Sequence, residues 1–328
     1  MPGPSQLDVL AERTNREFPN LLAARERTEL RLAEKGPALE RLRHGPTTSL
    51  VLMGSWGRRE LTSGSDDDFM VLSRGKRRLL ITPRLRSIRK VLDRAPGSQG
   101  VFGRAVFSDR LVNEIGLDAD DNSNLTRRML FILESIPATR VDIYGAVREE
   151  VLGRYLDQSV KPYRPPRFLL NDVVRYWRTM CVDFAGKEHK GPKKWGIRNA
   201  KLRNSRKILF AGGLLPLLGC YRFDEPEIKS FLASQFDLPP VDRIAQSFLE
   251  NHAADAGARA LGAYDEFVGL LDNREFRHAL ESVSRETAAS SEHFAEMQRV
   301  GHDLDEGLLA LLYETDQLPN VVREFAIF

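Results

Sequence analysis

A chain of 328 residues with 42% hydrophobic and 29% charged side chains has the composition of a folded protein, long enough for two domains, and general disorder is excluded. Its two cysteines, Cys181 and Cys220, form no C-x-x-C pair and no Cys/His cluster, which removes a disulfide framework and a structural zinc site. The net charge of +3 hides an uneven distribution: Lys161 to Phe210 holds fourteen Lys or Arg against three Asp or Glu, a surplus that suits either phosphate-bearing ligands or a solvated helix face.

Over residues 5 to 35, Leu7, Leu10, Phe18, Leu21, Leu22, Leu30 and Leu32 recur at helical spacing, which predicts one or two helices with Pro19 as kink or break. TTSLVLMGS, ending at Gly54 and Ser55, predicts a strand entering a turn. DDDFMVLS predicts a second strand, LRSIRKVLDRA a helix, and GVFGRAVFSD a third strand weakened by Gly103. From Asn124 onward the period is helical throughout: NLTRRMLFILES, VDIYGAVREEVLGRYL, RFLLNDVVRYWRTMCVDFAG, WGIRNAKLRNSRKILFAG, EPEIKSFLASQF and VDRIAQSFLEN each predict a helix. DQSVKPYRPPRF between two of them holds three prolines and predicts a linker, since such a segment cannot sustain a helix. The N-terminus has no basic-then-apolar signal order, and the longest apolar run, ILFAGGLLPLLGCY, is about 14 residues where a spanning helix needs roughly 20. A cytoplasmic protein without membrane contact is expected.

The chemistry is concentrated in MGSWGRRELTSGSDDDFMVL, Met53 to Leu72. If the strand begins at the aspartates, alternation puts Asp66 and Asp68 on one face and Asp67 on the other. Two carboxylates on one side are the oxygen donors that Mg²⁺ shares with substrate phosphates. Gly54 and Gly57 let backbone approach a ligand, Ser55 offers a hydroxyl and an amide, and a helix starting there would aim free N–H groups at an anion. No P-loop, dinucleotide fingerprint or EF-hand loop competes with this reading; an acidic surface turn does.

An apolar strand, Gly54-Ser55, ten residues from Trp56 to Ser65, and Asp66-Asp67-Asp68 running into FMVL together resemble the DNA polymerase β-like nucleotidyltransferase superfamily. GSWGRRE, with Gly57, Arg58 and Glu60, is most similar to its protein uridylyltransferase and adenylyltransferase branch. The likeness covers about 25 residues. It implies an α+β fold: a helical segment over 1–44, a small mixed β-sheet catalytic domain over 45–160, and a mostly helical domain over 161–328. It further implies that Gly54 and Ser55 bind the triphosphate of an NTP substrate and that Asp66 and Asp68 hold Mg²⁺, or Mn²⁺ in its place. The family's third carboxylate would be Asp109, with Glu114 and Asp118 as alternatives. Asp67, where the family has an apolar or variable residue, receives no catalytic role, and Arg58 and Glu60 are expected to pair with each other or with neighbouring backbone at the helix start.

Among the basic helices, Arg175 and Arg178 share a helical face, as do Lys194, Arg198 and Lys201. The resemblance implies a cation from this domain on the triphosphate, for which Arg178 and Lys201 are the candidates; Trp177 and Trp195 are expected to serve packing. The expected activity is transfer of a nucleoside monophosphate to a hydroxyl of a protein or RNA acceptor. A catalytically degenerate nucleotide- or RNA-binding module of the same fold stays open beside it, and the oligomeric state is not legible.

Overall fold

The computed structural model describes residues 4–42, 45–75, 82–97, 100–157, 160–189 and 194–326. The fold is α+β: one four-stranded mixed sheet and a large set of helices. The chain divides into two compact units, one of residues 24–61 and 65–159, the other of residues 1–23, 62–64 and 160–328. The expected 1–44 segment is thus not a unit of its own. Helix α1 (Gln6–Thr14) groups with the later helices, and α2 (Pro19–Glu40) changes unit after Ala23. Pro19 starts α2 rather than breaking it; at the first helical position its missing N–H costs nothing.

In the sheet unit, β1 (Thr48–Met53) pairs antiparallel with β2 (Phe69–Ser73) and with β4 (Ser135–Pro137), while β3 (Arg104–Phe107) lies parallel to β2. The order is β3-β2-β1-β4. Every residue of β1 and β2 is buried, as expected of central strands covered on both faces. Leu50, Leu52, Phe69 and Val71 face Leu39 of α2 and Ile88 and Leu92 of α3 (Thr82–Leu92). After β3 come α4 (Ser108–Asn113), α5 (Asn122–Leu133), the short β4, and α6 (Val141–Leu156), which packs on β1. Strand β4 corrects the expectation of helix alone after Asn124. The strand expected over residues 100–109 is shorter than its sequence suggested: β3 covers only Arg104–Phe107, and Ser108 and Asp109 open α4.

The helical unit continues with α7 (Arg167–His189), α8 (Trp195–Arg203), α9 (Ser205–Gly219), α10 (Glu225–Asp237), α11 (Pro240–Glu250), α12 (Ala254–Asp272), α13 (Arg274–Ser282), α14 (Glu292–Tyr313) and the short α15 (Leu318–Val321). The single helix expected from Trp195 to Gly212 is two, broken at Asn204, whose backbone leaves the helical region at φ −115° and ψ −86°. The apolar run becomes α9, almost wholly buried against α11 and α7. Trp195 packs on Phe294 at 5.1 Å between ring centres, and Trp177 stacks on Phe210 at 5.2 Å. No helix among the described residues is long and apolar enough to cross a membrane.

Candidate active site

Strand β1 ends at Met53, and Gly54 turns the chain with φ +65°, a left-handed conformation that costs glycine little. The helix expected here is a single turn: the Arg58 N–H donates to Gly54 O at 2.9 Å and the Glu60 N–H to Ser55 O at 2.8 Å. Gly57 is needed for another reason. A β-carbon there would stand 2.0 Å from the Glu134 carbonyl oxygen, so the turn passes flat against the backbone leading into β4. Arg58 donates from Nε to Glu60 Oε2 at 2.8 Å and from Nη1 to Glu134, a largely buried bridge that ties the turn to the end of α5. The expected Arg58–Glu60 pair is present, with Glu134 as a further partner.

The three aspartates precede β2 instead of starting it, yet they alternate as strand residues do. Asp67 is fully buried. Its Oδ1 accepts from Trp56 Nε1–H at 3.0 Å, and its Oδ2 accepts from the Arg94 N–H at 3.0 Å and from Arg31 Nη2 at 3.3 Å. Arg31 also lies over the Trp56 ring at 5.2 Å and donates to the Leu92 carbonyl at 3.1 Å. Burial pushes the Asp67 carboxyl above the ordinary aspartate range in spite of the Arg31 charge and the Trp56 bond. Asp67 therefore joins four parts of the unit: the turn through Trp56, α2 through Arg31, the segment after α3 through Arg94, and β2 through the chain itself.

Asp68 points away from this anchor, and alternation assigns Asp66 to the same side. Asp66 is exposed and Asp68 half-buried. The Asp68 carbonyl accepts from the Met53 N–H at 2.9 Å, extending the β1–β2 ladder by one bond, and the Gly97 N–H donates to Asp68 Oδ1 at 2.8 Å. Its other oxygen lies at Gly54: a β-carbon on that glycine would stand 2.9 Å from Asp68 Oδ2. Carboxylate and turn are in contact because residue 54 carries no side chain. Hard oxygen donors of this kind fit Mg²⁺ when a ligand adds phosphate oxygens. Among the described residues no three acidic, histidine or cysteine side chains form a group that could hold a metal ion.

Asp109 is not part of this arrangement. Because β3 runs parallel to β2, with Met70 opposite Arg104 and Ser73 opposite Phe107, Asp109 lies past the far end of the pair, on the order of 20 Å from Asp68 along the strands. It accepts from Asn113 Nδ2 at 2.8 Å within α4. Of the alternatives, Glu114 pairs with Arg110 at 3.0 Å and Asp118 is exposed. The β3 residue beside Asp68 on its face of the sheet is Arg104.

Arg178 and Lys201 lie on α7 and α8 of the helical unit, Arg178 exposed and Lys201 half-buried; the sheet unit assembles its turn and carboxylates from its own residues. Reading the sequence missed Trp56, Arg31, Arg94 and Gly97. Arg31 had a signal, since it continues the buried stripe Leu21, Ala24, Thr28 of α2, and a cation on an apolar stripe asks for a buried partner. Gly97 and Arg94 had none. Comparison with protein-family models and with curated proteins gives no match to this chain.

Proposed function

We propose that the sheet unit binds a nucleoside triphosphate at the Gly54–Ser55 turn and transfers its nucleoside monophosphate to a hydroxyl of a protein or RNA acceptor. The observation that carries this reading is the seating of Asp68 against Gly54, with Asp66 on the same side by alternation and Asp67 turned into the core to hold both. In the reaction the acceptor oxygen bonds to the α-phosphorus, the bond from that phosphorus to the bridging oxygen breaks, and pyrophosphate leaves with the electron pair. The hydroxyl proton passes to Asp66 or to water. Asp66 and Asp68 would hold Mg²⁺, which neutralises charge on the phosphate oxygens. Turn amides and the Ser55 hydroxyl orient the polyphosphate.

A second reading is favoured by Arg104. With an arginine beside Asp68 and Asp109 at the far end, β3 brings no third carboxylate, and a module that binds nucleotide without turnover fits that set. One assay separates the two. The protein is incubated with each labelled NTP, Mg²⁺, and RNA or protein acceptors. Incorporation that disappears in Asp66→Ala and Asp68→Ala is the outcome expected of the transferase; binding without incorporation under all conditions leaves the binding module, and full incorporation by Asp68→Ala removes the proposed site.

A further inference from the structure

Strand β3, which carries Arg104, and helix α5, which carries Arg127, both pack on α4. Arg127, on α5, is half-buried, and its Nε is shut off from solvent with no hydrogen-bond acceptor. One turn earlier on the same helix, Asn124 donates from Nδ2 to the Arg110 carbonyl at 2.9 Å, which docks this side of α5 on α4, the helix that follows β3. Among the described residues neither Arg104 nor Arg127 is paired with a carboxylate, whereas Arg110 meets Glu114 at 3.0 Å and Asp121 at 3.8 Å. Burial lowers the pKa of the Arg127 guanidinium; Asp121 opposes that shift, and the charges of Arg104 and Arg110 add to it. A guanidinium withdrawn from water and placed near like charges is an unfavourable arrangement in the free protein. An anion would make it favourable, and phosphate matches the guanidinium fork.

Arg104 stands opposite Met70 in the parallel ladder, on the face of β2 that carries Asp68, and its Nη2 reaches back to within 3.8 Å of where a β-carbon on Gly100 would be. That loop is the one whose Gly97 binds Asp68. We propose that Arg104 and Arg127 form an anion subsite of the sheet unit, which takes the polyphosphate of the nucleotide held at the Gly54–Ser55 turn. The inference rests on the nucleotide reading above and adds that polyphosphate binding needs no cation from the helical unit.

Binding of inorganic tripolyphosphate, with and without Mg²⁺, is measured by calorimetry and by its shift of the melting temperature, in the full chain and in Arg104→Gln and Arg127→Met. Each substitution is expected to weaken tripolyphosphate by roughly tenfold or more, while free Arg127→Met melts no lower than the wild type, since a charge that lacked a partner has been removed. An arginine serving structure alone would lower the melting temperature and leave binding unchanged. Wild-type affinity in both variants, or no binding by the wild type, overturns the subsite; if Arg127→Met does not fold, Arg104→Gln decides. NTP incorporation is read in parallel. Incorporation that depends on Asp68 with an unchanged KM for NTP in Arg104→Gln sinks the subsite and keeps the transferase. Arginine-dependent tripolyphosphate binding without incorporation keeps the subsite and sinks the transferase.

Discussion

The segment Gly54–Asp68 and the basic helices α7, α8 and the start of α9 both attract notice in the sequence for their charge, and they use it in opposite ways. On the helices the cations are spread out and several are answered locally, while Arg198 of α8 keeps its Nε and Nη2 buried without a hydrogen-bond acceptor among the described residues. Lys194 meets Glu281 at 2.9 Å, Lys207 meets Asp305, and Arg203 bonds Asn199 on its own helix. Against the upward push of burial, Lys194, Arg277 and Lys201 hold the Glu281 carboxyl below its usual value, and Trp195 is buried in packing. In the Gly54–Asp68 segment one carboxylate is sunk into the core so that its two neighbours are held in place. Charge density alone is met on an ordinary helix face; a carboxylate that is buried and clamped fixes the geometry of the residues beside it.

The contrast breaks most easily at Asp68. Asp68→Ala should lower nucleotidyl transfer by at least about a hundredfold, the scale of losing one group that stabilises the transition state, with the melting temperature nearly unchanged. Initial rates with saturating NTP check it. Gly57→Ala should destabilise the chain by about 3 kcal/mol in denaturant titration, because the new carbon meets the Glu134 backbone rather than a movable side chain. Gly54→Ala should cost less, about 1 to 2 kcal/mol for its positive φ, while still displacing Asp68.

The pH dependence sharpens the comparison within the sheet unit. Asp67 has a raised pKa in the folded state, so stability is lost as pH rises through the ordinary aspartate value of about 3.9 and is fully lost above the raised one. The stability of Asp67→Asn relative to wild type should therefore climb with pH across that window. Asp120 behaves oppositely. Burial raises its pKa, but the Arg128 guanidinium, bonded to it at 2.7 and 2.9 Å, more than offsets this and holds the carboxyl low. Its stabilisation is present above the ordinary value and lost as pH falls through the lowered one, so Asp120→Asn should approach wild type on acidification. Urea titrations between pH 3 and 7 give both slopes. The smallest effect belongs to the helices: Arg178→Ala should raise the KM for NTP by no more than about fivefold, the worth of an exposed charge.

Much of the candidate site was legible because it is local. Alternation separates Asp67 from Asp66 and Asp68 whether or not a formal strand begins there, and a glycine that ends a strand announces a turn. Strand β4 was not legible. Ser135–Pro137 follows an apolar run of helical period, and only its pairing with Val51–Met53, far away in sequence, makes it a strand. The third acid was misread for a related reason. Asp109 ends a plausible strand, but whether that strand runs with or against β2 is a property of the sheet, and the parallel choice carries Asp109 to the wrong end while bringing Arg104 to the right one. The partners of Asp67 were hidden likewise: Arg31 and Arg94 come from elements about thirty residues away on either side.

The central claim is that Asp66 and Asp68 grip a divalent ion against a polyphosphate on the turn. Mn²⁺ binding followed by electron paramagnetic resonance, with and without a non-hydrolysable NTP, tests it directly. Tight Mn²⁺ binding that requires the nucleotide and is abolished in the Asp66→Asn, Asp68→Asn double variant is the predicted result. Nucleotide-dependent Mn²⁺ binding that survives in the double variant, or its absence from the wild type, would contradict the account.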